Sequence, residues 1–251
     1  MKISNSILTS AVLSGLVALL SFSTPTALAF SPCPTTTFKG TLTKLSSTTM
    51  DNEVNTEEAF AASTFPIKPD DLLARAKAVL SEEVNLGISD GGECLSNDFV
   101  FRAQFVEVDK EGYTNALKSF KLQDSFDIKQ NFFGFTVDPM QTNRVWFYSR
   151  QIATHKNDFA GIEATGKELT LPPQSHHLDF DDDGLVTEFG FYTVDRAQGN
   201  TGGLGGAFGY FYGVGKPLPF PEGKPYKPSF RYSMLQKFGN LMQKLQKKKK
   251  D

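Results

Sequence analysis

Leu178-Asp179-Phe180-Asp181-Asp182-Asp183-Gly184-Leu185-Val186-Thr187-Glu188 is the stretch that decides the fold. Three Asp and a Gly make a four-residue reversal between two apolar-rich segments, which is how a hairpin joins adjacent antiparallel strands. The strands run outward from it, over Lys167–Phe180 on one side and Leu185–Val194 on the other. Two further segments rich in Phe, Val, Ile, Tyr and Thr lie upstream, at Phe126–Val137 and Val145–His155. Asp138-Pro139 and Asn157-Asp158 supply the turns after them. Ahead of the strands the periodicity is helical. Pro69 suits a first helical position, Asp70 and Asp71 charge the first turn, and Leu72, Leu73, Ala76, Val79, Leu80 and Val84 recur at helical spacing. Asp109 can cap a second helix that holds Tyr113, Ala116, Leu117 and Phe120. Helices followed by antiparallel strands predict an α+β domain, with the helices packed on one face of a curved sheet.

Composition fits a globular chain of 251 residues: 39% hydrophobic, 22% charged, net charge −2. That balance gives no general attraction to nucleic acid. Two Cys exclude a disulfide-stapled scaffold, and three His without ligand spacing predict no metal centre. Asp179-x-Asp181-x-Asp183-Gly184 copies half a calcium loop, but Gly190 stands where the closing carboxylate belongs, so a hairpin turn is the better reading. The 23 Phe supply much ring surface for a core or a cavity.

Charge is segregated. Residues 1–50 hold three Lys and no acid, residues 51–233 have a net charge of −10, and residues 234–251 have a net charge of +5. The uncharged run Ile7–Leu20 is too short to span a bilayer but suits a signal peptide, and Ala27-Leu28-Ala29 offers a small-x-small cleavage pattern. Phe30 to Met50 follows with ten Ser or Thr, Lys39, Lys44 and no acid, the composition of a transit peptide. The junction Ala29-Phe30-Ser31-Pro32 resembles the bipartite presequence of diatom-type, multi-membrane plastids, in which an aromatic residue follows the first cut. The resemblance implies delivery to a plastid; plain secretion is the alternative.

Val145-Trp146-Phe147-Tyr148-Ser149-Arg150, Thr154-His155, Glu163-Ala164-Thr165-Gly166-Lys167-Glu168-Leu169 and the opening hairpin together resemble the SnoaL-like branch of the nuclear-transport-factor-2-like superfamily, over about residues 66–215. The resemblance implies a cone of strongly bent antiparallel strands, helices on its concave face, and an apolar pocket. The division expected is a signal peptide at 1–29, transit peptide and linker at 30–63, the cone at 64–215, a Pro-rich wrap at 216–233 and a basic amphipathic tail at 234–251. Members of that superfamily include cyclases, isomerases, dehydratases, pigment binders and silent adaptors, so fold does not settle function.

The implied partner is a hydrophobic small molecule, with no cofactor. An enzyme of this kind would do proton-transfer chemistry: isomerisation, cyclisation or dehydration. Asp98, His155 and His177 are the candidate acids and bases, Tyr148 or Arg150 the oxyanion stabiliser. His176 shares a strand face with apolar Leu178 and Phe180, whereas His177 shares one with Ser175 and Asp179. A non-catalytic pigment or lipid binder, or an adaptor, is the alternative, and a homodimer is open to either. Gly199–Gly215 contains eight Gly, without a dinucleotide-loop register; Gly205, Gly209 and Gly213 repeat every four residues, as on a helix that packs closely. Leu235, Phe238, Leu241, Met242 and Leu245 recur at helical spacing before Lys247–Lys250, so Met234–Lys250 can lie on an anionic membrane surface.

Overall fold

The computed structural model describes residues 52–103, 106–225 and 227–247. The signal and transit segments, Cys33 and Lys248–Lys250 lie outside the described residues. Among the described residues there are nine strands: β1 (Leu95–Ala103), β2 (Val106–Asp109), β3 (Phe126–Lys129), β4 (Phe132–Val137), β5 (Arg144–Ser149), β6 (Ile152–His155), β7 (Glu168–Thr170), β8 (Gln174–Phe180) and β9 (Val186–Thr193). They form a six-stranded sheet in the order β2-β1-β9-β8-β5-β4 and a three-stranded sheet in the order β3-β6-β7.

The two sheets are one bent surface. Three of the four strands read from the sequence are interrupted once: β3 gives way to β4 at Gln130-Asn131, β5 to β6 at Arg150-Gln151, and β7 to β8 at Leu171-Pro172-Pro173. The breaks line up across the sheet. Asn131 takes a left-handed conformation (φ 49°), and its Nδ2 donates to the Arg150 carbonyl at 2.9 Å. The Leu171 N–H donates to the Gln151 carbonyl at 3.0 Å. Asn is one of the few residues that tolerates αL, and Pro173 cannot donate to a ladder, so both suit a crease.

Among the described residues six α-helices accompany the sheet: α1 (Thr56–Ala61), α2 (Pro69–Val79), α3 (Lys110–Phe120), α4 (Leu122–Ser125), α5 (Gly206–Gly213) and α6 (Phe230–Lys247). The Asp109 carboxylate caps α3, accepting from the Gly112 N–H at 2.8 Å. Within the acidic segment before the cone, α1 is a turn of helix started by Asn55, whose Oδ1 accepts from the Glu58 N–H. In α2, Leu72, Ala76 and Val79 are fully buried against Val145, Phe147, Leu178 and Phe180 on the concave face. The hairpin at Asp181–Gly184 is a side-chain-closed turn: Asp181 Oδ1 accepts from the Asp183 and Leu185 N–H groups, and Arg75 Nε of α2 donates to the Gly184 carbonyl at 2.8 Å.

One strand pair departs from the antiparallel expectation. β1 runs parallel to β9, with Phe101 opposite Phe189, and its other edge takes the short antiparallel β2. Past the crease a second core forms from Phe126, Ala153, Phe159, Leu169, Leu171 and Tyr210. Here α5 is the roof, and Gly213 rests on Leu169, where a Cβ would come within 2.7 Å of its side chain. Asn200 ties the segment leading to α5 onto β7, donating to the Glu168 carbonyl and accepting from the Thr170 N–H.

The crease gives a direct stability test. Asn131→Ala forces a Cβ-bearing residue without a compensating amide into αL and should lower unfolding free energy by roughly 1–2 kcal/mol. Asn131→Gly, which keeps the backbone freedom, should lose less; urea titration of the two variants measures the difference.

Candidate functional site

The strand alternation carries one face of the bent sheet through both cores. Val145, Phe147, Ser149, Gln151, Ala153 and His155 are all buried on it, as are Leu169, Leu171, Gln174, His176, Leu178 and Phe180. The polar members of these rows cluster at the crease, between the two apolar cores. Ser149 Oγ lies 3.1 Å from Gln174 Oε1 and 2.9 Å from His176 Nε2. Gln151 Nε2 donates to Gln130 Oε1 beside them.

The proton count of this cluster follows from its partners. Ser149 has one hydroxyl proton, and Gln174 Oε1 can only accept it. Ser149 Oγ then accepts from His176 Nε2–H, which leaves a lone pair on His176 Nδ1. Among the described residues His176 Nδ1 and Gln174 Nε2 are both buried without a hydrogen-bond partner. Leaving such a group unpaired costs roughly 1–3 kcal/mol, so a cluster with two of them calls for an explanation.

Aromatic rings surround the cluster. The His176 ring stacks between Phe147 (4.9 Å, 15°) and Phe189 (5.8 Å, 11°), with Phe191 and Phe132 at 5.6 and 6.2 Å. Burial among them, with a small contribution from His177, pulls the His176 pKa down to about 3, so the ring is neutral at ordinary pH. Phe132, Phe189 and Phe191 are half-buried and form the accessible rim. Gly205, at the start of α5, closes the other side; a Cβ there would fall 2.7 Å from Thr193 Oγ1 and 3.1 Å from Gln174 Nε2.

The opposite face of the same strands is charged. Arg144 grips Asp179 with two hydrogen bonds of 2.6 Å, and Gln141 donates to the same carboxylate. His177 Nε2 lies 2.9 Å from Glu188 Oε1, and Arg102 lies 3.3 Å from Glu188 Oε2. Burial lowers the His177 pKa despite the carboxylate, so this contact is a neutral N–H donor to Glu188 rather than an ion pair. Burial works against the Glu188 charge, yet the His177 and Arg102 contacts hold its pKa below the usual range. The imidazole lies against Gly190 of the next strand and leaves no room for a Cβ there. His177, Asp179 and Glu188 present ligand atoms within 4.8 Å of one another. Two guanidinium groups already supply the positive charge there, which disfavours a metal cation.

The five sequence candidates are spread over three environments. His177, Tyr148 and Arg150 belong to the charged outer side; Tyr148 is exposed and stacked on Phe133, and Arg150 Nη1 donates to Gln198 at 2.7 Å. Asp98 is exposed on β1. His155 is fully buried in the second core, stacked on Phe126, with Nδ1 3.1 Å from Thr165 Oγ1. The side chains the structure does bring together at the crease, Ser149, Gln174 and His176, were not among those candidates. Their signal in the sequence was a polar residue repeating in the apolar row of a strand. Cys94 is buried and hydrogen-bonded to Asp90, and burial pushes its thiol up to about 12, which removes it as a nucleophile. A separate cleft of about 550 Å³ opens at the end of α3, lined by Phe120, Lys121, Asp124, Lys156 and Phe159 among others; it contains none of the candidate residues.

No sequence-family profile matches the chain, and no curated protein matches it. Among solved structures it is similar to a protein described as a polyketide cyclase from Xanthomonas campestris pv. campestris (19% identity, 49% of this chain, 93% of that one, TM-score 0.39). A SnoaL-like polyketide cyclase from Jannaschia sp. CCS1 gives 17% identity over 51% of this chain and 87% of its own, TM-score 0.38. An LEH-like epoxide hydrolase from M. tuberculosis gives 13% over 50% and 84%, TM-score 0.38. At such values a shared outline says nothing about shared chemistry.

The depressed His176 pKa sets a pH dependence. The unfolded chain takes up a proton near the ordinary value of 6.5, whereas the folded chain does so only near 3, so stability falls as pH drops through that window. Between pH 6.5 and 4.5 wild type should lose about 2–3 kcal/mol more than His176→Phe, at 1.36 kcal/mol per pH unit. Carboxylates begin to titrate near the lower pH, but they and His177 are common to both proteins and drop out of the difference. Denaturant unfolding at the two pH values, with equal losses in the two proteins, would refute the assignment.

Proposed function

We propose that the chain binds a small, flat, apolar molecule carrying an oxygen function, held at the crease on the concave side of the cone. The observation that supports this is the pair of unpartnered groups inside the Phe box: a donor at Gln174 Nε2 and an acceptor at His176 Nδ1. A ligand with a carbonyl or hydroxyl satisfies them, while its rings face Phe132, Phe147, Phe189 and Phe191. Few, well-placed polar groups in an aromatic wall select for orientation at little cost in desolvation. Entry requires the first turn of α5 to lift, because Gly205 fits closely over Gln174. Gly205-Gly206, with Gly206 at φ 53°, provides the pivot.

An acid–base enzyme is the second reading, favoured by the hydrogen-bonded chain from His176 through Ser149 to Gln174. The two readings part in one experiment. Protein folded in the presence of an organellar lipid and pigment extract is washed, stripped with organic solvent and analysed by mass spectrometry. The binding reading expects a stoichiometric apolar ligand, reduced about tenfold or more in Gln174→Leu, which corresponds to a hydrogen bond worth about 1.4 kcal/mol. Repeating the incubation in D₂O should leave the ligand unlabelled if it is only bound; His176-dependent deuterium uptake would make it a substrate. Recovery of no ligand would remove both readings.

Residence in a multi-membrane plastid rests on the leader sequence, with its Ala29-Phe30 junction. Residues 1–50 fused to a fluorescent protein should reach the plastid of a diatom cell, and Phe30→Ala should strand the fusion outside it. Secretion of the unaltered fusion would overturn this.

A further inference from the structure

We infer that α6 is a docking element for an anionic lipid surface. Apart from Ser233, every residue from 230 to 240 is exposed. The exposed ones include Phe230 (79%), Met234 (52%), Leu235 (67%) and Phe238 (62%), so large apolar side chains that would ordinarily pack on a body stand in water. At 100° per residue these four occupy one side of the helix, with Lys237 at its margin, and the sequence repeats the spacing in Leu241, Met242 and Leu245. An apolar stripe of this kind needs a cover, and its charge says which.

From Gly223 to Lys250 the chain contains nine Lys or Arg and no acid, whereas the body it hangs from is acidic. The acidic body would attract the cations of α6, yet residues 230–240 do not pack on it, as their exposure attests. A helix that joins an apolar stripe to an unbroken run of cations matches the interface of an anionic bilayer, where rings and aliphatic chains enter the acyl boundary and lysines meet the headgroups. Among the described residues no helix is long and apolar enough to cross a membrane, so the attachment is peripheral. The linker from Lys216 to Ser229, with Phe220 seated against Phe208, fixes where the helix leaves the cone. Bound this way, the protein would load its apolar cargo from, or deliver it to, the lipid phase; this last step rests on the binding reading above, whereas the docking itself does not.

The test is vesicle co-sedimentation of the 251-residue chain with phosphatidylcholine alone and with about 30% phosphatidylglycerol, at low and high salt. Because the run Ile7–Leu20 can itself seek lipid, the decisive comparison is between wild type and Leu235→Glu/Phe238→Glu, which share that run. Wild type should partition onto the anionic vesicles at least about tenfold more strongly than onto neutral ones, and lose most of that excess in high salt. The double variant should lose at least about tenfold on the anionic vesicles. A second variant, Lys237→Glu/Lys244→Glu/Lys247→Glu, should lower anionic binding while leaving neutral binding unchanged. Equal binding by wild type and the double variant overturns the inference, as does indifference to lipid charge and salt, or no vesicle binding at all. Ligand recovery as described above is measured on the same variants: intact cargo binding with lost docking confirms that the two are separate.

Discussion

The crease across the sheet is the constraint on which the rest of this structure depends. Three strands break at the same level, and each break uses a different local device: an αL Asn131, a side-chain pair at Gln151 and Gln130, and Pro172-Pro173. A flat sheet of this length could not bury its face against one short helix. Bending it creates two concave halves, the first covered by α2 together with Tyr113 of α3 and the second by α5. The cost is a line where neither helix can fill the space with apolar side chains. Polar residues occupy that line in two hydrogen-bonded groups, Ser149 with Gln174 and His176, and Gln151 with Gln130.

Two adjacent histidines show how completely the side of a strand sets the chemistry of a residue. His176 faces inward among four Phe rings, has only a serine for a partner and is neutral down to a pKa of about 3. His177 faces outward over Gly190, between Trp146 and Tyr192, and donates to Glu188 within a network of two arginines and two carboxylates. Burial depresses both pKa values, but for different ends. The outer histidine completes an electrostatic brace across β5, β8 and β9; both rings keep a buried Nδ1 without a partner among the described residues, but only that of His176 lies on the inner face with the unpartnered Gln174 Nε2.

Much of the architecture was legible in the sequence because it depends on local rules. The Asp181–Gly184 hairpin, the Asp109 cap and the strand segments follow from turn chemistry, capping and period-two alternation, each readable within a dozen residues. The parallel pairing of β1 with β9 was not, because it joins Phe101 to Phe189 and no local signal encodes a partner so distant. The site was less legible still. The sequence places His176 in the row of Leu178 and Phe180, and Ser149 in the row of Phe147, and alternation alone makes them inward-facing. What it could not supply was the register that sets Phe147 opposite His176 and Ser149 opposite Gln174. Without that register, Arg150, Tyr148 and His177 looked like the chemical residues, since charge and rings attract notice; their strand parity sends them to the outer face instead.

The same magnitudes decide between holding a molecule and transforming it. A general base is most effective when its pKa lies near the working pH. A His176 nitrogen with a pKa near 3 is some four units short of that, equivalent to about 5 kcal/mol less driving force for taking a proton at neutral pH. As a hydrogen-bond acceptor the same nitrogen loses almost nothing by being neutral, since acceptance needs a lone pair and no charge. The Phe box that weakens the base also strengthens every hydrogen bond made inside it, because there is little water to compete. The environment around His176 is therefore better suited to recognising an oxygen function than to moving a proton. For the residue to act as a base, the ligand would have to carry charge that raises the imidazole pKa on binding, since among the described residues no carboxylate is hydrogen-bonded to it.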